Sequence, residues 1–326
     1  MPEMTMREAI ARSLREGLDG DSRVFLMGED VGAYDGAYAV TRGFLADYGP
    51  ERIRDTPIAE SVLVGSAVGA AMAGLKPIVE IMTINFSLLA MDQIVNNAAK
   101  LRYMSNGQFS VPIVIRTVTG GGGQLGATHS QSFEGWFASV PGLKVAVPST
   151  PYDALGLLRS ALKDDNPIIY AEHAMLYGMR GEVPDEWYEV PFGQAAIRRP
   201  GSDVTIVAYS GTVRIALEAA ETMASSKGRE AEVIDMRTLR PLDLDTVIES
   251  VKKTNRAVVV EEAWSVGGFG AEIASAIQAQ AFDHLDGPVA RVGSLDVPVP
   301  YAQNLEAAVL PSSQRVVQAI EDTFGL

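Results

Sequence analysis

The sequence predicts an α/β protein of two doubly wound domains. Three observations carry this. The chain has 326 residues, about twice the usual domain size. Short apolar, β-branched runs alternate with helix-length segments, the rhythm of a mostly parallel sheet covered on both faces. The rhythm resumes after a break rich in glycine, proline and charge between Tyr177 and Pro200. The expected domains are 1–185 and 201–326, with 186–200 as linker. There is no internal repeat and no low-complexity tail.

Composition narrows the function classes. Apolar residues make up 47% of the chain, enough for two cores. The absence of cysteine excludes a disulfide framework, a thiolate metal site and a cysteine nucleophile. Three histidines argue against a histidine-rich metal site. A net charge of −14 argues against nucleic acid, whose binding depends on neutralising phosphates. It suits plain solubility and equally a basic protein partner. The segment MPEMTMREAIARSLREGL reads as a charge-laced helix rather than a signal peptide. No apolar run approaches the ~20 residues that span a bilayer, so a cytoplasmic protein without membrane contact is expected.

In chain order, Met6–Leu18 reads as an amphipathic helix and Val24–Met27 as a short strand. Glu29 and Asp30 follow that strand, where α/β proteins place functional groups; a solvated loop acid fits the sequence equally well. The stretch from Arg54 to Asn106 organises the rest. Thr56-Pro57 supplies a helix start, and an apolar, small-residue run continues to Gly74. Gly65, Gly69 and Ala73 fall on one helix face, smooth enough for another backbone to approach closely. Glu60 is the acid of the first turn. It is either a solvated N-terminal acid favoured by the helix dipole, or an acid entering apolar surroundings, where a raised pKa suits a proton donor or relay.

Lys76-Pro77 breaks that helix. Ile78–Asn85 reads as a strand, and a second helix is expected from Phe86 or Ser87 to Ser105. Phe86, at the junction, is either a core aromatic or a face for a flat ligand beyond the strand's carboxyl end. Val111–Thr119 is a third strand. The loop Gly120–Gln131, GGGGQLGATHSQ, permits positive φ and close backbone approach. It matches neither a P-loop nor a dinucleotide fingerprint, and reads as a mobile active-site loop. His129 within it can give or take a proton near neutrality. Leu143–Val147, Tyr152–Lys163 and Pro167–Glu172 complete the first domain as strand, helix and strand.

The second domain repeats the pattern. Its strands are Asp203–Tyr209, Ala231–Asp235, Ala257–Glu261 and Val289–Gly293. Its helices are Val213–Ser225, Asp243–Thr254, Gly270–Ala281 and Ser313–Thr323. Glu261-Glu262 at a strand end reads as a polar edge or interface rather than a catalytic pair.

DTPIAE, GSAVGAAMAGLKP, EIMTINFS, MDQIVNNAAKLRYMS, THSQSFEGWF and PGLKVAVPS, in this order and spacing, resemble the β-subunit family of the pyruvate dehydrogenase first component. That is the thiamine-diphosphate-dependent component of a 2-oxoacid dehydrogenase complex in its two-chain form. The resemblance runs from TMREAI to the end of the chain. It implies a pyrimidine-binding thiamine-enzyme domain followed by a transketolase C-terminal-like domain, and oxidative decarboxylation of pyruvate with acetyl transfer to the lipoyl group of an acyltransferase.

The resemblance also implies site residues. Glu60 would hydrogen-bond a ring nitrogen of the aminopyrimidine and favour its imino tautomer. Phe86 would stack on that ring with Met82 packed nearby, and Glu29 would help relay protons to Glu60. His129 would orient the 2-oxoacid and assist transfer to lipoamide. The carbonyls of Ile113, Ala161, Asp164 and Asn166 match a potassium site of the family, all-oxygen ligation that suits a hard cation. The GDG motif that anchors Mg2+ and diphosphate in thiamine enzymes is absent; Asp19-Gly20-Asp21 does not supply it. An α subunit is therefore expected to hold that half of the cofactor in an α2β2 assembly. Leu89 stands where some relatives carry a polar or acidic residue, which puts a proton relay through that position in doubt. Alternatives within the enzyme class are a branched-chain 2-oxoacid or acetoin dehydrogenase β subunit. An alternative outside it is a non-catalytic interaction subunit, against which Glu60, Phe86 and His129 together argue. A plain dinucleotide-binding protein lacks its fingerprint.

Overall fold

The computed structural model describes residues 2–325. They form two compact units, 2–119 with 136–192 and 120–135 with 193–325. The break after Phe192 falls inside the expected linker. Gly120–Gly135, the glycine-rich loop with its histidine, groups with the second unit by its contacts.

In the first unit the strands lie in the order Lys144–Ala146, Ile168–His173, Val114–Thr119, Lys76–Ile81, Val24–Gly28, Ile53–Asp55, all parallel. The Val24–Gly28, Val114–Thr119 and Ile168–His173 strands are buried at every residue, as parallel strands covered on both faces must be. The chain runs from Val24–Gly28 to one neighbour, Ile53–Asp55, then returns to the other, Lys76–Ile81. That reversal makes a topological switch point, where open α/β sheets bind ligands.

Helices cover the sheet. Met6–Gly20 starts with a capping box between Thr5 and Glu8, which satisfies two orphan backbone donors. Pro151–Lys163 starts with Thr150 accepting from the amide of Asp153 and with proline in the first turn. Met6, Ile10 and Leu14 share one core with Leu155, Leu158 and Ala161.

The region after Lys76–Ile81 departs most from expectation. The strand ends at Ile81 instead of Asn85, and no regular α-helix fills 86–105. A 3₁₀ turn at Ile84–Ala90 leads into a π segment at Gln93–Ala98 and a single α turn at Leu101–Met104. Such irregular helix is frequent at functional sites because it re-aims side chains. The preceding helix begins at Glu60 rather than beside Thr56, and Ala59 at its N-cap offers no side-chain cap. The expected smooth face is partly used within the chain: a Cβ on Gly65 would stand 3.2 Å from Gln93, whereas one on Gly69 would meet nothing within 4 Å.

The second unit has strands in the order Ala290–Ser294, Ala257–Trp264, Val204–Ala208, Ala231–Asp235, Ala196–Arg199. The last is antiparallel, with a register shift at its neighbour's Val233 and Ile234. It lies in the expected linker, so 196–199 is structured rather than connecting chain. Thr212–Lys227 and Ser313–Phe324 pack on a core of Ile206, Ala216, Ala220, Val258, Val260 and Ile320. The short helix Gln303–Val309 was not expected from the sequence.

Candidate active site

Three loops of the first unit converge at the switch point. Glu29 follows Val24–Gly28, Glu60 opens the helix after Ile53–Asp55, and Met82 and Phe86 follow Lys76–Ile81. The Ile84–Ala90 turn packs against the Glu60 helix. Glu29 is 7% exposed and Glu60 2%, while Met82 and Phe86 are half-buried. Burial pushes the Glu29 carboxyl above the usual glutamate range, and the charges of Glu60 and Asp30 push the same way. Its Oε1 is buried without a hydrogen-bond partner. Two buried acids close together cannot both ionise cheaply, and here the bias towards the protonated form falls on Glu29.

These groups fit an aminopyrimidine. An orphaned buried carboxyl oxygen needs a donor, which an exocyclic amino group supplies, and the half-buried Phe86 and Met82 offer apolar faces to a flat ring.

Beneath the site lies a charge network that sequence reasoning missed. Glu80 is in register with Gly28 on one side and Arg116 on the other, and Arg116 with Tyr170. Arg116 donates to Glu80 through Nη1 at 2.6 Å and to both oxygens of Glu172 at 2.7 and 2.9 Å. Tyr177 donates its hydroxyl to Glu172 at 2.6 Å. Burial pushes Glu80 up, against the pull of Arg116. Burial also opposes the Arg116 charge, but Glu172 and Glu80 outweigh it and hold the guanidinium protonated. The network ties the strand that delivers Met82 and Phe86 to the Val114–Thr119 and Ile168–His173 strands. The signal was available: Glu80, Arg116 and Glu172 are isolated charges inside apolar runs, and such charges are retained only when paired.

His129 lies in the second unit. It is exposed, its Nδ1 is 2.9 Å from the Thr128 hydroxyl, and its amide donates to the carbonyl of Gly126 at 3.2 Å. The loop is held by carboxylates. Gly121 donates its amide to Glu262 at 2.5 Å, and Gly122 and Gln124 donate theirs to Glu306 at 3.0 to 3.2 Å.

The residues of the expected cation site fall on adjoining segments. The carbonyl of Ile113 accepts from the amide of Ile168 at 2.9 Å, and that of Ala161 from Asp164 at 3.2 Å. Each keeps a second lone pair. Asp164 accepts from both nitrogens of Asn166 and pairs with Lys144. Burial raises its carboxyl, but the Lys144 and Asn166 bonds prevail and hold it below the usual range. Leu89 is 66% exposed. Among the described residues no side-chain group of three or more His, Cys, Asp or Glu could hold a metal, and no helix is long and apolar enough to cross a membrane.

Comparison with known proteins agrees with this architecture. Residues 2–179 match the family model for the transketolase pyrimidine-binding domain, and residues 193–316 that for the transketolase C-terminal domain. The chain is 50% identical over 319 residues, 98% of each chain, to a pyruvate dehydrogenase E1 component subunit beta of Rickettsia felis. It is 50% identical over 321 residues to subunit beta-2, mitochondrial, of Oryza sativa subsp. japonica, covering 97% of this chain and 85% of that protein. Among solved structures it is similar to a split-gene transketolase described as an inactive β4 tetramer, with a TM-score of 0.79, 25% identity and 99% coverage of both chains.

Proposed function

We propose a function from one premise: the chain belongs to the family of pyruvate dehydrogenase first-component β subunits, built from the transketolase pyrimidine-binding and C-terminal domains. The protein is the β subunit of a pyruvate dehydrogenase (acetyl-transferring), a thiamine-diphosphate-dependent enzyme. It takes part in oxidative decarboxylation of pyruvate and reductive acetylation of the lipoyl group of the dihydrolipoyl acetyltransferase. The observation that carries the reading is the buried pair Glu29 and Glu60 at the switch point, in a chain half identical to such subunits over nearly its whole length.

Thiamine diphosphate, when bound, supplies the electron sink for decarboxylation. Glu60 would hydrogen-bond a ring nitrogen of the pyrimidine. Glu29, biased towards its protonated form, would serve as a proton reservoir beside it, with both groups shielded from bulk water. Phe86 and Met82 would pack against the ring. His129 orients the 2-oxoacid and assists acyl transfer to the lipoyl group.

An α subunit carrying the GDG motif holds Mg2+ and the diphosphate in an α2β2 assembly, a role this chain has no motif to fill. A structural K+ would sit on the carbonyls of Ile113, Ala161, Asp164 and Asn166, supported by the spare lone pairs of Ile113 and Ala161. The compartment is the cytoplasm.

The test is reconstitution. The chain alone should be inactive; with an α partner, thiamine diphosphate and Mg2+ it should turn over pyruvate faster than 3-methyl-2-oxobutanoate. The reverse preference would make it a branched-chain enzyme, and an assembly that binds no thiamine diphosphate would leave only an interaction subunit.

A further inference from the structure

We propose that Glu306, assisted by Glu262, is a positioning residue that clamps the glycine-rich loop and thereby sets where His129 stands during turnover. The inference rests on the function proposed above and adds to it two residues of the C-terminal domain.

Glu306 is 3% exposed, yet among the described residues no lysine or arginine pairs with it. Its hydrogen bonds are to the loop: one oxygen accepts from the amide of Gly122 at 3.0 Å, and both accept from that of Gln124 at 3.2 and 3.1 Å. Burying a carboxylate without a cation is costly, and backbone amides on an ionised acceptor offset that cost well. Glu262 takes the next amide upstream, from Gly121 at 2.5 Å.

Apolar groups close the clamp. A Cβ on Gly121 would stand 3.2 Å from Leu310, which lies directly after the Glu306 helix. Gly126 lies against the Tyr301 ring with φ +77°. Four consecutive glycines would otherwise sample many conformations. Three anchored amides, two at Glu306 and one at Glu262, leave the chain few. The order passes along the loop to Gly126, whose carbonyl holds the His129 amide.

The test uses the reconstituted α2β2 enzyme. Glu306→Ala should speed amide hydrogen exchange at Gly122 and Gln124 by roughly tenfold or more. It should lower kcat for lipoyl acetylation while leaving KM for pyruvate and the thermal midpoint nearly unchanged. Glu306→Gln, which keeps one acceptor oxygen, should recover part of both effects. Because the clamp acts through His129, Glu306→Ala added to His129→Ala should cost little beyond His129→Ala alone.

Unchanged exchange at Gly122 and Gln124 would overturn the proposal, as would losses that multiply in the double variant. If Glu306→Ala fails to fold, the Gln variant and its double variant decide alone. A wild-type assembly inactive on pyruvate would refute the proposed function, whereas the exchange experiment would still report on the clamp.

Discussion

Glu29 and Glu60 bury two carboxyl groups within electrostatic reach of each other, and burial and the Glu60 charge together displace Glu29 towards its protonated form. The sign for stability follows. The folded-state value lies above the ordinary 4.5, so the contribution of Glu29 is complete below that value and is lost as pH rises through the raised one. Glu29→Gln should remove this loss. Its thermal midpoint should exceed that of the wild type at about pH 8 and converge with it at about pH 4. Parallel profiles for the two proteins would contradict the assignment.

The Arg116 network should behave as a buried ion cluster. Arg116→Met leaves Glu80 and Glu172 uncompensated and should destabilise the chain by about 3–5 kcal/mol. Adding Glu80→Gln and Glu172→Gln should restore a large part of that loss, because the orphaned charges are then gone. Denaturant titration of the three proteins reads both effects.

Phe86→Ala should weaken thiamine diphosphate binding in the assembled enzyme roughly ten- to hundredfold, the loss of about 1.5–3 kcal/mol of apolar contact. Titration calorimetry measures it. An unchanged Kd would return Phe86 to the role of a core aromatic.

Gly126→Ala adds a Cβ about where the Tyr301 ring now stands, at 2.3 Å, and at a φ of +77°. The loop must move, at a local cost of about 1–2 kcal/mol. Activity should fall while far-ultraviolet circular dichroism stays unchanged.

Much of this architecture was legible because parallel strands covered on both faces read as continuous apolar runs, as in VFLMG and IIYAEH. Glu60 and Phe86 stood out through their places at element junctions. The segment after Ile81 was not legible as it is built. Its apolar spacing suits an α-helix, and only packing imposes the 3₁₀ and π geometry. The Ala196–Arg199 edge strand was hidden because AIRR is short and charged. Glu262 reads as surface from its neighbours in sequence. Its bond to Gly121, 141 residues away, exists only in the folded chain.

The central claim is that Glu60 governs proton placement on the cofactor's pyrimidine. It is tested most directly by pyruvate turnover of the reconstituted enzyme carrying Glu60→Gln. Assembly and cofactor binding should persist while kcat falls by at least about 100-fold, the scale of general acid–base catalysis. Turnover at the wild-type rate would contradict the account.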